Sequence, residues 1–221
     1  LIPEVTKHEV FVADLFANNW WGIEGHHFAK HAIESALWDI HAKRQGESLA
    51  SVLGGVTDVV EVGAVVGMHD TVDAVVAEVM QRVSEGYARI KIKIAPGHDS
   101  DVLAAVRDAV GIEYALQADA NGAYSASDID LLCSFDSFAL QFIEQPFAAH
   151  DLDSHRQLSQ RCATSVCLDE SVMTTAQLLT ALDLGACDVV NIKPSRVGGI
   201  REAIAMHDVL VEHGVDAWVG G

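Results

Sequence analysis

The sequence predicts an α/β fold built on parallel strands, and three observations carry that prediction. From about residue 59 onward, seven short runs rich in β-branched residues alternate with segments of helical periodicity. Ionisable residues close five of these runs at nearly equal steps. Residues 1 to 58 show helical periodicity alone and read as a separate layer. Repeated strand-then-helix order means parallel strands with crossover helices, arranged as an open doubly wound sheet or as a barrel.

The leading segment contains "FAKHAIESALWDIHAKRQGESLASVLGG", in which Phe28, Ile33, Ala36, Leu37 and Ile40 recur at helical spacing before a Gly-Gly exit. Seven strand runs come after it: "VVEVGAVV" (59–66), "YARIKIKI" (87–94), "YALQADA" (114–120), "ALQFIEQP" (139–146), "SVCLDES" (165–171), "CDVVNIKP" (187–194) and "VDAWVGG" (215–221). Between the first two, Val72, Val75, Val76, Val79 and Val83 predict a helix over Thr71–Glu85, with Gly86 as its stop. Ile200, Ile204 and Val211 with Gly214 repeat the pattern. Leu1 is not a methionine and the last run stops at Gly221, so both ends read as cut. The expectation is a barrel domain over 59–221 with its first seven strands and its C-terminal end missing.

The chain has 221 residues, half of them hydrophobic, which is enough for a real core. With 32 acidic against 14 basic residues, a net charge of -18 and no basic cluster, its surface field repels phosphate backbones and anionic lipid. Nucleic-acid and membrane partners are therefore not expected. No apolar stretch approaches a membrane span and no leader opens the chain, so a soluble, cytoplasmic protein is the expectation, with a homo-oligomer left open. The four cysteines (Cys133, Cys162, Cys167, Cys187) have no CxxC spacing and predict buried reduced thiols. The eleven histidines form no HExxH pair, and none is assigned to a metal.

In "RIKIKIAPGHD" (89–99), Ile90, Ile92 and Ile94 fall on one face of the predicted strand and Arg89, Lys91 and Lys93 on the other. Lysine is rarely buried unpaired, so two lysines on one face would ordinarily be solvated. The rest of the chain reverses that reading. Lys93, Asp119, Glu144, Asp169 and Lys193 each stand at the C-terminal end of a run, separated by 26, 25, 25 and 24 residues. Each interval is one βα unit. Equal steps place the five groups at one level on neighbouring strands, at the end where parallel α/β folds hold their sites.

Three converging carboxylates raise one another's pKa, and a hard divalent cation with oxygen ligands removes that repulsion. Magnesium fits, and manganese can substitute. With Lys91, Lys93 and Lys193 the cavity keeps a net positive charge, so an anionic small molecule, most simply a carboxylate, is the natural ligand. Repulsion between Lys91 and Lys93, with partial desolvation, is expected to lower the pKa of each toward that of a general base. The chemistry these groups suit is abstraction of a proton α to a carboxylate, with the developing oxyanion held by the metal. Singly, each residue has an ordinary reading: Asp119 as a turn or cap residue, Glu144 as a strand-end ion pair, Glu170 in place of Asp169 as the inward acid, Lys193 as a solvated lysine. Five on one repeat outweigh those readings.

"KIK" (91–93), "DAN" (119–121), "EQP" (144–146), "DES" (169–171) and "NIKPSRVGG" (191–199) together resemble the enolase superfamily, in its muconate-cycloisomerase-like subgroup. The likeness is greatest to o-succinylbenzoate synthases and N-succinylamino acid (N-acylamino acid) racemases, and runs from about Phe28 to Gly221. It implies a modified TIM (β/α) barrel with an α+β capping domain, of which residues 1 to 58 are the helical remainder. It implies magnesium on Asp119, Glu144 and Asp169, Lys93 as base with Lys91 as its electrostatic neighbour, and Lys193 opposite. Asn121 and Asn191 match supporting polar positions. The reaction it implies is syn dehydration to o-succinylbenzoate in menaquinone biosynthesis, with racemisation of N-acylamino acids on the same site. Dipeptide epimerase and muconate cycloisomerase chemistry are the alternatives among enzymes, and a non-catalytic fragment is the alternative outside them. Ser195 replaces the glycine usual after "NIKP", and this polypeptide by itself is expected to have weak activity or none.

Overall fold

The computed structural model describes residues 23–220. Helix α1 (His27–Gln45) and the one-turn α2 (Leu49–Val52) come first, and strands and helices then alternate. They are β1 (Ala64–Val66), α3 (Val72–Ser84), β2 (Arg89–Lys93), α4 (Ser100–Val110), β3 (Ala115–Asp119), α5 (Ile129–Ser134), β4 (Phe142–Glu144), α6 (Leu152–Arg161), β5 (Ser165–Leu168), α7 (Thr175–Leu184), β6 (Val189–Ile192), α8 (Pro194–Val197), α9 (Ile200–His213) and β7 (Asp216–Val219). The seven strands are hydrogen-bonded in chain order, β1 to β7, and β1 through β6 pair in parallel. Strand order that follows chain order is the order of a (β/α) barrel rather than of a doubly wound sheet, whose order reverses at a switch point.

Among the described residues the chain forms two compact units, one of residues 23–60, 192–209 and 219–220, the other of residues 61–191 and 210–218. The second unit holds the main core. Ile90, Ile92, Leu116, Ile143 and Val166 from successive strands pack with Val75, Val79, Leu103 and Leu158 from the intervening helices. The helix over 72–84 forms because Thr71 caps it, its side chain accepting from Ala74 N–H, while the valines repeat at helical spacing. The sheet's opposite face carries a smaller cluster of Phe142, Cys167 and Val189, with Trp218 against Phe142 and the Arg89 guanidinium 4.2 Å from the Trp218 ring.

In the first unit the helix predicted after Phe28 is present, but its buried face follows the apolar stripe only at Leu37. Phe28 and Ile40 are exposed, and Glu34, Leu37 and Ala42 are the buried residues. Glu34 is buried because its carboxylate is paired. Its carboxylate accepts from Arg201 N–H at the start of α9 and from Trp38 Nε1, where a helix N-terminus favours negative charge. "VGG" (197–199) is the counterpart: Gly198 has φ +101°, and a Cβ on Gly199 would lie 1.5 Å from a Glu34 oxygen.

The cysteines depart from expectation. Cys133 at the end of α5 and Cys162 after α6 form a disulfide closing 29 residues of chain, whereas Cys167 and Cys187 are buried free thiols. Only tertiary packing of two neighbouring helices brings the pair together, so no local spacing announced it. Burial holds the Cys167 thiol well above its usual range and pushes Cys187 up to about 12. The first predicted run is also shorter than read, since Val59, Val60 and Val62 are exposed and only Ala64–Val66 pairs. Among the described residues no helix is long and apolar enough to cross a membrane.

Candidate active site

Strand alternation turns Lys91 and Lys93 away from the buried Ile90 and Ile92. Lys91 is 7% exposed. Its Nζ donates to Glu144 Oε2 at 2.8 Å and lies 2.9 Å from Asp119 Oδ2. Lys93 Nζ donates to Asp119 Oδ2 at 2.7 Å and to the Asn121 side-chain oxygen. Glu144 is fully buried, and its other oxygen accepts from Asn191 Nδ2 at 2.8 Å. Six of the residues singled out from the sequence, Lys91, Lys93, Asp119, Asn121, Glu144 and Asn191, thus belong to one hydrogen-bonded network.

The register explains the meeting. Lys93 pairs with Asp119 and Asp119 with Glu144, so these three stand in one row across β2, β3 and β4. The row does not continue to Asp169. Glu144 pairs with Cys167, and Asp169 lies two residues farther along, past the end of β5. The single level inferred from equal spacing is therefore a hydrogen-bonded row for three groups and a stepped one at the fourth. A barrel's strand register has to stagger as the sheet proceeds. Asp169 is 1% exposed, and its backbone N–H donates to Gln145 Oε1 at 2.9 Å. Lys193 belongs to the first unit, where its carbonyl accepts from Arg196 and Val197 N–H at the start of α8.

Charge is balanced inside the network. Burial opposes ionisation of Asp119, yet the hydrogen bond from Lys93 and the Lys91 charge hold its carboxyl below the usual carboxylate range. For Lys91 the expected direction is reversed: burial disfavours its charge, but Glu144 and Asp119 outweigh burial and raise its pKa. For Lys91, repulsion from the neighbouring amine is the smaller effect.

Several residues here were not legible as site residues. Gln145 is 1% exposed and reaches from the end of β4 to Asp169, Ser171 and Phe147. His155 is fully buried and kept neutral by burial. Its Nδ1–H donates to the Asp151 carbonyl, which leaves Nε2 to accept from Gln145 Nε2 at 3.2 Å. Glu170 accepts from Asn121 Nδ2. Gln145 and Glu170 lie inside "EQP" and "DES", where only Glu170 reads as an inward acid, and His155, nine residues past Pro146, carried no signal. Gln145, next after Glu144, and Asn121, two residues after Asp119, have φ of 40° and 44°, conformations that L side chains seldom adopt and that cluster at functional sites.

Among the described residues no three histidine, cysteine, aspartate or glutamate side chains are drawn together as a metal-holding group. The donor set nevertheless fits a hard cation in kind. Asp119, Glu144 and Asp169 offer buried oxygens only, and a positive charge, the Lys91 ammonium, already lies between the first two.

A sheet of parallel strands in chain order, with amines and carboxylates at the carboxyl ends of its strands, is the arrangement of a (β/α)-barrel domain with its ionisable groups where such barrels hold their sites. The chain belongs to the enolase superfamily. Residues 74–221 match the family described as Enolase C-terminal domain-like, and residues 7–54 match the Mandelate racemase / muconate lactonizing enzyme N-terminal domain. The whole stretch is 44% identical over 220 residues to an o-succinylbenzoate synthase of Bacillus subtilis (strain 168), covering 59% of that protein. It is 43% identical over 221 residues to an N-succinylamino acid racemase of Amycolatopsis sp, covering 60% of it. A solved enolase-superfamily member from Listeria innocua Clip11262 superposes with a TM-score of 0.92 at 33% identity, over 99% of this chain and 59% of that one. The chain thus spans about three fifths of the length of these relatives. Enolase-superfamily members use Mg2+.

Proposed function

We propose that this chain carries the proton-transfer site of an o-succinylbenzoate synthase, a carbon-oxygen lyase, whose substrate is a small carboxylate and whose place is menaquinone biosynthesis in the cytoplasm. The observation that carries the reading is the row Lys93, Asp119, Glu144, with Lys91 buried between the two carboxylates. Asp119, Glu144 and Asp169 would hold the magnesium ion. Bound there, the ion supplies charge stabilisation for the carboxylate oxygens of the substrate. Lys93 is more exposed than Lys91, at 29% against 9% of its side chain, which makes it the amine that meets substrate.

In its neutral form the Lys93 amine takes the proton from the carbon α to the carboxylate. As the carbon-carbon double bond forms, the carbon-oxygen bond breaks, and the Lys93 ammonium returns its proton to the departing hydroxide. Products are the alkene and water. Lys91 keeps its charge and stabilises negative charge that develops on the substrate. By the resemblance, Lys193 stabilises the enediolate in dehydration and acts as the second base in racemisation.

N-succinylamino acid racemisation is the second reading, supported by the similarity to such racemases. Dipeptide epimerases are also relatives, at lower identity. The test is deuterium exchange. The chain is incubated with Mg2+ and N-succinylamino acids in deuterated water, and the α-proton is followed by NMR, with dehydration of the cyclohexadiene carboxylate assayed in parallel. Exchange that survives Lys93→Ala, or that needs no divalent ion, would overturn the assignment. No exchange from this chain, with exchange from a longer chain that adds the relatives' remaining length, would make this stretch a non-catalytic fragment.

A further inference from the structure

We propose that Gln145 is a positioning residue that fixes Asp169 relative to Glu144; the inference rests on the reading of Asp119, Glu144 and Asp169 as cation ligands. Glu144 closes β4 and Asp169 lies beyond the end of β5, two residues past the partner of Glu144, where no ladder hydrogen bond joins the strands. A side chain takes the ladder's place. Gln145 Oε1 accepts from Asp169 N–H at 2.9 Å and Ser171 N–H at 3.2 Å, while Nε2 donates to Ser171 Oγ at 2.7 Å and the Phe147 carbonyl at 3.0 Å.

One primary amide therefore joins the loop after β4 to the loop after β5 through its acceptor and one of its donors, while the other donor serves the Phe147 carbonyl and His155 Nε2 on its own side. The backbone commits it to that task. Gln145 holds φ +40°, fixed by its N–H donating to the Cys167 carbonyl at 2.8 Å and by its carbonyl accepting from Gly122 N–H at 2.7 Å. Residues that orient ligands from behind are worth roughly ten- to a hundredfold in metal affinity.

The experiment uses the full chain and Mn2+ alone, with binding read by electron paramagnetic resonance and backbone protection by amide exchange. Gln145→Met is expected to weaken Mn2+ binding at least tenfold and to speed exchange of the Asp169 and Ser171 amides. Gln145→Glu keeps an acceptor oxygen in place and is expected to restore that amide protection and most of the affinity. Faster exchange with unchanged Mn2+ affinity would mean a merely structural clamp and would overturn the proposal, as would slow exchange in Gln145→Met. If Asp169→Asn leaves Mn2+ affinity unchanged, the ligand assignment itself fails and takes this inference with it. Should Gln145→Met not fold, Ser171→Ala, which removes one acceptor of the same amide, is expected to weaken Mn2+ binding by a smaller factor, and no change would count against the proposal.

Discussion

Lys91 and Glu144, 53 residues apart in the chain, share a buried hydrogen bond of 2.8 Å that reaches across the intervening strand β3. Glu144 is fully buried, so the ammonium and the Asn191 amide supply the polar partners of its two oxygens. Removing one member of such a pair leaves an uncompensated charge inside the protein, which costs about 3–5 kcal/mol. Lys91→Met is expected to lose that much stability in urea unfolding with EDTA present. Added Mg2+ is expected to restore part of it, because a divalent cation replaces the missing charge. A loss under about 1 kcal/mol would show that the carboxylates do not depend on Lys91.

The same network fixes a pH dependence. The Asp119 carboxyl lies below its ordinary 3.8, so its contribution to stability is whole above that value and is lost as pH falls through the lower value of the folded state. Lys91 lies above its ordinary 10.5, so its contribution is whole below 10.5 and is lost as pH rises through the higher folded value. Urea midpoints between pH 3 and 11 are expected to show a plateau with an acid and an alkaline limb. Asp119→Asn should flatten the acid limb. An unchanged acid limb in that variant would assign it to other carboxylates.

Gly199 faces the Glu34 carboxylate so closely that a methyl group has no room, with 1.5 Å from its Cβ position to Oε2. Gly199→Ala is expected to destabilise the chain by about 1–3 kcal/mol through overpacking. Glu34→Ala removes the obstruction but also the acceptor for Arg201 N–H. The two changes together should therefore cost less than their sum, and a double-mutant cycle on thermal unfolding measures the coupling. Additive losses would mean that the loop moves aside without involving Glu34.

Much of the fold was legible because strands and helices announce themselves by period, and "RIKIKI" shows how. Period two separates isoleucines from lysines, and the structure puts the isoleucines in the core and the lysines on the carboxylates. Register was only half legible. A spacing of about 25 residues gives the repeat, but which residue of β5 pairs with Glu144 depends on stagger, and so Asp169 stands two residues off the row. The Gln145 bonds were hidden because a glutamine between a glutamate and a proline carries no periodic signal. The Lys91 pKa was misjudged for a related reason: carboxylates on the next two strands weigh more than a like charge two residues along. Phe28 and Ile40 mark the limit of pattern reading, since they share the helical spacing of the buried Leu37 yet are exposed, while the charged Glu34 is buried.

Cys133 and Cys162 tie α5 to the turn that leads into β5, and the same turn is held a second way. Asp136 accepts from the backbone N–H of Ala163 and Thr164 and from the Thr164 hydroxyl. Because the turn keeps these hydrogen bonds, reduction is expected to leave the fold intact while freeing the unfolded chain. A bridge closing about 29 residues removes loop-closure entropy worth about 3–4 kcal/mol from the unfolded state. Thermal unfolding with a dithiol reductant should therefore fall several degrees below that of the oxidised protein. Cys133→Ser with Cys162→Ser should match the reduced protein and no longer respond to reductant. Cys167 and Cys187, buried and held as thiols, are not expected to substitute for the bridge. Equal unfolding temperatures with and without reductant, once thiol titration has shown the bridge to be open, would mean that Asp136 alone secures the turn.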